Sequence, residues 1–392
     1  MPAPFPFHVM AKPAGARCNL DCAYCFYLSR SELYPNAELR MTPATLEAFI
    51  AQYIAAQPGA DVHFTWQGGE PTLLGLPYYE EVLALQKKHA PPGKRVHNAL
   101  QTNAVLLDDD WAAFLAANGF LVGVSLDGPP ALHDAYRRNK GGQPTSAAAL
   151  AGLRCLQRAK ADFNILTCVH AANQDHPLEV YRFLRDEIGA EHMQFIPVVR
   201  RLPGKRGPAR LDPSSVTAQG YGAFLSAIFD EWVRRDVGRI FVQAFEEAVA
   251  AWAGAPPGLC VVSPTCGRAL AVEHNGDVYS CDHFVAPRYR LGNIHQQTLS
   301  QLARLPQQLQ FGEAKKTGLP TQCRACPVLF ACRGGCPKDR FLKTADGEPG
   351  LNYLCPGYLA FFQYIDTRLR KVAALLAQGR AAAEIMLTPG PG

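Results

Sequence analysis

Three cysteines crowd into eight residues near the start of the chain, at Cys18, Cys22 and Cys25, with the spacing C-x3-C-x2-C. A loop this tight turns three thiolates toward one point. Three thiolates suit a cubane [4Fe–4S] cluster, because each bonds a different iron. The fourth iron is then left without a protein ligand. An open coordination position on a metal is a place for a substrate or cofactor to bind. A zinc clip, or three unrelated buried thiols, are the plain alternatives.

The other cysteines sharpen this reading. The chain has 13, and in a cytosolic chain, where thiols are kept reduced, they are not read as a disulfide framework. Eight lie between Cys260 and Cys355, at Cys260, Cys266, Cys281, Cys323, Cys326, Cys332, Cys336 and Cys355. The remaining two, Cys155 and Cys168, sit in apolar segments and read as small buried hydrophobes. Three plus eight is the arithmetic of three clusters, one open and two fully ligated. Two zinc ions would also use eight thiolates, but the first three already commit the chain to iron–sulfur chemistry.

At 392 residues two domains are expected, divided here as 1–236 and 237–392. A net charge of +5 is too mild and too evenly spread to argue for nucleic acid. No apolar run is long enough to span a bilayer. Met1 to Met10 lacks the charged start and apolar core of a signal peptide. A cytoplasmic location is the expectation.

The first 200 residues alternate strand-like and helical runs. Strands are expected at Phe7–Ala11, Val62–Trp66, Val96–Leu100, Phe120–Val124, Phe163–Val169 and His192–Ile196. Helices are expected at Pro43–Gln57, Pro77–His89, Asp109–Asn118, Ser146–Ala159 and Pro177–Glu187. Such alternation gives a parallel sheet with helices outside, here an α/β partial (β/α)6 barrel. Each strand is followed by a polar or Gly-rich cluster: the cysteine triad, Gln67-Gly68-Gly69-Glu70-Pro71, Gln101-Thr102-Asn103, Ser125-Leu126-Asp127-Gly128, His170 to Asn173, and Pro197. Active sites of parallel barrels are built at these strand ends. Asp127 reads either as a cofactor or substrate contact or as part of a capped turn before Pro129-Pro130. The stretch Arg200–Pro208, basic and rich in Pro and Gly, reads as a surface loop or as a lid. Helices at Ser214–Arg235 and Ile240–Ala253 lead into the second domain. A β-hairpin is expected over Leu270–Tyr279, turning at Asn275-Gly276, and an Ala-rich helix over Tyr358–Met386.

The cysteine triad with its flanking aromatics resembles the signature of the radical S-adenosylmethionine (SAM) enzymes. The downstream spacing resembles the SPASM-type domain with two auxiliary [4Fe–4S] clusters. Further runs resemble the anaerobic sulfatase-maturating enzymes: Cys-x3-Cys-x-Tyr-Cys-Phe-Tyr, Tyr34-Pro35, Arg40-Met41, Gln67 to Pro71, Ser125 to Pro129 with His133-Asp134 and Arg137, Gln194 to Pro197, and Asp282 directly after Cys281. Arg200 and Ser146 depart from that pattern. The resemblance implies that Cys260, Cys266, Cys281 and Cys336 hold one auxiliary cluster, and Cys323, Cys326, Cys332 and Cys355 the other. It implies SAM on the open cluster, with Tyr24, Gln67, Gly68, Gly69, Glu70, Ser125 and Asp127 around the cofactor and the Glu70 turn holding the SAM amino group. The implied reaction is oxidation of a Cys or Ser in a sulfatase motif to formylglycine by a 5′-deoxyadenosyl radical, with Asp282 as the base. The implied partners are a sulfatase polypeptide and an electron donor such as flavodoxin or ferredoxin. Another SPASM peptide modifier, forming a thioether or carbon–carbon cross-link, is the enzymatic alternative; such enzymes often carry an N-terminal clasping domain, for which a triad starting at Cys18 leaves no room. A three-cluster electron carrier is the non-enzymatic alternative, disfavoured because a carrier needs no open iron.

Overall fold

The computed structural model describes residues 5–35, 38–202 and 210–387. The expected loop or lid at 200–208 therefore lies outside the described residues from Pro203 onward. In chain order the elements are β1 (His8–Lys12), α1 (Pro43–Ala56), β2 (Asp61–Trp66), α2 (Leu76–His89), β3 (Arg95–Thr102), α3 (Asp109–Ala117), β4 (Leu121–Ser125), α4 (Pro130–Tyr136), α5 (Ser146–Ala159), β5 (Phe163–Val169), α6 (Pro177–Arg182) and β6 (His192–Pro197). A short pair β7 (Arg201–Leu202) and β8 (Arg210–Leu211) precedes α7 (Ala218–Arg235), β9 (Phe241–Val242), α8 (Gln243–Trp252), β10 (Ala269–Glu273), β11 (Asp277–Tyr279) and β12 (Arg290–Asn293), with a final long helix over Cys355–Ala377. No helix among the described residues is long and apolar enough to cross a membrane.

Local chemistry explains the boundaries. Thr42 caps α1 by accepting the Thr45 N–H at 3.2 Å, and Pro43 follows at the first helical position. Asp108 caps α3 through the Trp111 N–H at 2.9 Å. Thr217 caps α7 through Gly220, so that helix begins at Ala218 rather than at Ser214. Along β2 Val62, Phe64 and Trp66 are buried while Asp61 and His63 are exposed. This period-two pattern lays one face on the aromatic side of α1, where Phe49 meets Phe64 and Trp66 edge-on at 5.6 and 5.9 Å.

The chain forms two compact units, neither continuous in sequence. The first comprises residues 1–125, 137–163 and 266–314. Its strands run in the order β12-β11-β10-β1-β2-β3-β4, with β1 to β4 parallel as the alternation predicts. The hairpin also forms as expected, with Gly276 at φ +86° in its turn and Ala271 paired with Tyr279. Its setting was not expected. β10 pairs with β1 in parallel, from His8 opposite Ala269 to Lys12 opposite Glu273. The free edge of β1 would otherwise expose a row of backbone donors and acceptors, and the buried Leu270, Ala271 and Val272 cover it.

The second unit comprises residues 126–136, 164–265 and 315–392. Here β5, β6 and β9 are parallel neighbours. α4 was not foreseen: Pro129-Pro130 read as a turn, but proline at a first helical position is pre-set for a helix. After Arg182 the expected helix continues to Glu187 as a π-helical turn. The long C-terminal helix ends at Ala377, where Gly379 turns left-handed at φ +71°, and a 3-10 segment covers Ala382–Leu387. This helix meets α7 with glycine against glycine. A Cβ on Gly357 would lie 1.8 Å from the Ala218 carbonyl oxygen, and one on Gly222 would lie 2.8 Å from Gly357 Cα.

Candidate active site and cysteine cradles

In the first unit the ends of β1, β2 and β3 carry the cysteine triad, the Gly-rich turn and Gln101 to Asn103. The triad lies in the loop after β1, with all three cysteines outside any disulfide and partly exposed. The loop is held from several sides. The Cys25 N–H donates to the Cys22 carbonyl at 2.9 Å and the Asp21 N–H to the Arg138 carbonyl at 2.8 Å. Cys18 Sγ accepts from the Leu20 N–H at 3.4 Å and from Asn103 Nδ2 at 3.9 Å. Burial pushes the Cys18 thiol up to about 11, against the Leu20 bond, which favours the thiolate. A bound metal reverses that balance, since a coordinating thiol is deprotonated outright. The Arg137 guanidinium is buried and stands 5.5 Å from the centre of the Tyr24 ring.

The Gly-rich turn after β2 is pinned along this loop. The Gln67, Gly69 and Glu70 N–H groups donate to the carbonyls of Ala11, Gly15 and Arg17 at 2.9, 2.8 and 2.8 Å. Only glycine fits at position 69, where a Cβ would lie 2.0 Å from the Arg17 carbonyl oxygen. Glu70 is 1% exposed. Its Oε1 accepts from the Thr72 N–H, the Thr72 hydroxyl and the Thr102 hydroxyl at 3.1, 2.7 and 2.7 Å, and its Oε2 accepts from the Asn103 N–H at 2.8 Å. Burial pushes its pKa up, against the opposing pull of these donors. The carboxylate is thus committed to the scaffold joining β2 to β3. Ser125, half-buried at the end of β4, accepts from Gln101 Nε2 at 3.1 Å.

Asp282 lies in the same unit, in a short 3-10 turn after Cys281. It is 5% exposed and forms an ion pair with Lys12 Nζ, itself 1% exposed. Lys12 also donates to Gln67 Oε1 at 3.1 Å and lies 4.8 Å from the centre of the Tyr27 ring. Burial alone would raise the Asp282 pKa; the Lys12 ammonium outweighs it, with help from His283, and holds the carboxyl below its ordinary value. The Phe26 and His283 rings stand 5.0 Å apart, tying the residue after Cys25 to the turn that carries Asp282.

In the second unit Asp127 is fully buried. Its Oδ1 accepts from the Cys168 N–H at 2.9 Å, its Oδ2 lies 3.4 Å from His170 Nε2, and its own N–H donates to His133 Nδ1 at 3.4 Å. These contacts tie Asp127 to the end of β5. Cys168 and Cys155 are both partly exposed rather than buried.

Four cysteines of the second unit, Cys323, Cys326, Cys332 and Cys355, line one cavity of about 280 Å³. Cys355 is the first residue of the long C-terminal helix. The loop from Cys332 to Cys336 passes through Gly334 and Gly335, both left-handed at φ +72° and +61°, and a Cβ at Gly334 would lie 2.4 Å from Leu319 Cδ2. Burial pushes the Cys332 thiol up to about 12 and the Cys336 and Cys355 thiols up to about 11. Neighbouring thiols add to each shift: Cys323 and Cys326 act on both Cys332 and Cys355, and Cys260 acts on Cys336. Four free thiols around one cavity fit a cluster that takes four thiolates. Cys266 and Cys281 belong to the first unit, Cys260 and Cys336 to the second.

Comparison with known proteins accords with this arrangement. The Radical SAM superfamily model matches residues 13–184 and the iron-sulfur cluster-binding SPASM model residues 264–327. A serine-type anaerobic sulfatase-maturating enzyme of Bacteroides thetaiotaomicron is 44% identical over 98% of this chain and 96% of its own. This chain belongs to the anaerobic sulfatase-maturating enzymes. Within that family a cysteine-type member from Clostridium perfringens is 32% identical over 94% of this chain and 98% of its own. The solved structure of native anSMEcpe with bound AdoMet and Cp18Cys peptide superposes with a TM-score of 0.85 at 31% identity, covering 95% of this chain and 100% of that one. The family's mixed α/β architecture, a radical SAM domain with a parallel sheet followed by a SPASM domain, is the one expected from the sequence.

Sequence reasoning missed three buried cations near these sites. Lys12 was passed over because the first strand was ended at Ala11. Arg137 entered only as part of a motif. Lys315, in the helix Pro306–Thr317, carried no signal at all: a lysine in a polar helix reads as solvated until its burial is seen.

Proposed function

We propose that this enzyme oxidises a serine or cysteine in the recognition motif of a sulfatase polypeptide to formylglycine, using SAM and three [4Fe–4S] clusters. The observation that carries the reading is Asp282, buried beside Cys281 and held as an anion by Lys12 in a chain 44% identical to a serine-type maturase. Cys18, Cys22 and Cys25 hold the SAM cluster. Cys260, Cys266, Cys281 and Cys336 hold the first auxiliary cluster, and Cys323, Cys326, Cys332 and Cys355 the second. When bound, SAM and its cluster supply hydrogen abstraction from the substrate β-carbon.

The chain's own residues do the rest. The backbone of Gln67, Gly68, Gly69 and Glu70 receives the SAM amino group, with Glu70 fixing the turn from behind. The Arg137 guanidinium is buried beside Tyr24 in the same unit as the triad. Ser125 contributes a hydroxyl, and Asp127 orders the β5 end. Asp282 accepts the hydroxyl or thiol proton of the substrate, and Lys12 and Gln67 orient it. The higher identity to serine-type relatives, 44% against 32% for the cysteine type, supports serine as the preferred residue. Thirteen cysteines outside disulfides fit a reducing compartment, in keeping with a cytoplasmic enzyme supplied with electrons by a flavodoxin or ferredoxin. Residues 1–236 are assigned to the radical SAM domain and 237–392 to the SPASM domain.

The test is mass spectrometry of a peptide carrying Ser or Cys followed by x-Pro-x-Arg, incubated anaerobically with reconstituted enzyme, SAM and dithionite. Formylglycine lowers a Ser peptide by about 2 Da and a Cys peptide by about 18 Da, from the formulae of the cofactor-driven oxidation. Release of 5′-deoxyadenosine with neither mass change, or with a cross-linked product, would overturn the proposal.

A further inference from the structure

The triad loop is braced by a short turn of its own unit. Leu20 bridges Asn139 in antiparallel fashion, and the Asp21 N–H donates to the Arg138 carbonyl at 2.8 Å. The turn that carries these partners is tightly closed. Asn139 Oδ1 accepts from the Gly141 and Gln143 N–H groups at 2.9 Å each, and the Arg138 guanidinium donates to the Gly142 carbonyl at 2.9 Å. Gly142 makes the bend at φ +74°. A turn pinned this way presents its outer side chains in fixed places, so little ordering is left to do when a partner arrives.

Those outer side chains are cationic. Arg138 and Lys140 are both exposed, and Lys140 lies close enough to draw the Cys18 thiol pKa down against its burial. Arg17, also exposed, directly precedes Cys18, and its guanidinium donates to the Leu73 carbonyl at 3.2 Å. The two guanidinium groups thus bond neutral carbonyls, and none of the three cations has a carboxylate partner among the described residues. The segments that touch the loop set little negative charge against them. Glu70 is buried and filled by its donors. The stretch from Gln101 to Leu107 contains no acid, and Asp21 is the one acid between Arg17 and Tyr27. The exposed charge around the triad loop is therefore positive.

On the function proposed above, each SAM cleavage consumes one electron at the triad, brought by a protein carrier. Electron-transfer encounters are small, under about 1,200 Å² in total, and charge rather than buried area brings the partners together. We propose that Arg17, Arg138 and Lys140 form the docking face for that carrier, a small one-electron protein whose contact face is acidic. The carrier gives up one electron to the cluster on Cys18, Cys22 and Cys25 and leaves oxidised by one electron; no bond is made or broken at the contact. The inference rests on the triad assignment and the reaction proposed above.

The experiment drives the reconstituted full chain with two reductants and reads 5′-deoxyadenosine release. Dithionite reduces the cluster without docking, whereas flavodoxin, kept reduced by NADPH and its reductase, serves as the acidic carrier. Lys140→Glu reverses the exposed charge and Lys140→Arg keeps it. In Lys140→Glu the flavodoxin concentration that gives half the maximal rate should rise about tenfold at low salt, while the dithionite-driven rate stays at the parent's. Lys140→Arg should match the parent with both reductants. The screening length shrinks from about 30 Å at 0.01 M salt to about 3 Å at 1 M, so added salt should bring parent and Lys140→Glu together. An unchanged flavodoxin dependence in Lys140→Glu would overturn the proposal. So would an equal loss with both reductants, which would put Lys140 in the support of the cluster instead. A parent driven by dithionite but not by flavodoxin would overturn it as well. A parent that releases no 5′-deoxyadenosine even with dithionite sinks the function proposed above, and this inference with it.

Discussion

Glu70 and Asp282 are both acids buried in the first unit, and they are buried in opposite ways. Glu70 has four donors from Thr72, Thr102 and Asn103 on its two oxygens. Asp282 has a charge, the Lys12 ammonium, and beside it Gln67 of the Gly-rich turn. Burial wins at Glu70, whose pKa is raised, and loses at Asp282, whose pKa is lowered. The difference separates a carboxylate that holds backbone from one kept charged by a buried ammonium. A group whose lone pairs are filled by its own chain is scaffold, even inside a motif associated with a cofactor.

The contrast can be broken in several places. The widest break comes from removing the chemistry altogether: the triple change Cys18→Ala, Cys22→Ala and Cys25→Ala should lower bound iron from about twelve to about eight and abolish 5′-deoxyadenosine release, measured by iron assay and chromatography. Zinc in place of auxiliary iron would refute the three-cluster reading. Next, Asp282→Asn should cut formylglycine yield by about 10²–10⁴-fold, the usual worth of a general base. SAM cleavage and hydrogen abstraction from a β-deuterated peptide should persist. A near-normal aldehyde yield with all clusters present would remove Asp282 from the mechanism and send the search for a base to Tyr24, His133 and Asp127.

Glu70→Gln should act on stability instead. It turns one acceptor into a donor facing buried donors, at a cost of about 1–3 kcal/mol, seen as a lowered unfolding midpoint with iron content intact. A loss of SAM affinity without any loss of stability would mean that Glu70 touches the cofactor, and the contrast would collapse. The smallest effect is a pair of opposite pH slopes. Glu70, raised in the folded state, takes up a proton more readily there than in the unfolded chain. Its contribution is full below its ordinary value near 4.5 and is lost as pH rises through the folded value. Asp282, lowered in the folded state, contributes fully above its ordinary value near 3.8 and loses that contribution as pH falls through the folded value. Unfolding midpoints of parent, Glu70→Gln and Asp282→Asn across the acid range should give differences that slope in opposite directions. Parallel slopes would mean that the two acids are held alike.

The three-cluster arithmetic was legible because it is carried by residue type and spacing alone. The strands were legible because Val62, Phe64 and Trp66 and their counterparts declare a period of two. Glu70 could be found but not interpreted, since two of its partners, Thr102 and Asn103, arrive from the end of another strand. The pairing of β1 with β10 joins His8 to Ala269, a separation at which neither apolar run names its neighbour. Lys12 and Lys315 were invisible for the same reason: whether a lysine is buried depends on what folds over it.

The glycine contact between α7 and the C-terminal helix has a consequence for how the enzyme is made. Cys355 opens that helix, and two turns of backbone around Gly222 and Gly357 meet with no side chain to slide on. Synthesis delivers Cys323, Cys326 and Cys332 well before Cys355, and the helix can seat only after its own turns have left the ribosome. On the ligand assignment proposed here, the second auxiliary cluster waits for the tail of the polypeptide. Cluster-loading machinery that acts on a nascent chain would find three ligands and a missing fourth, and a chain cut short before this helix would remain permanently unfinished, however well the rest of it had folded.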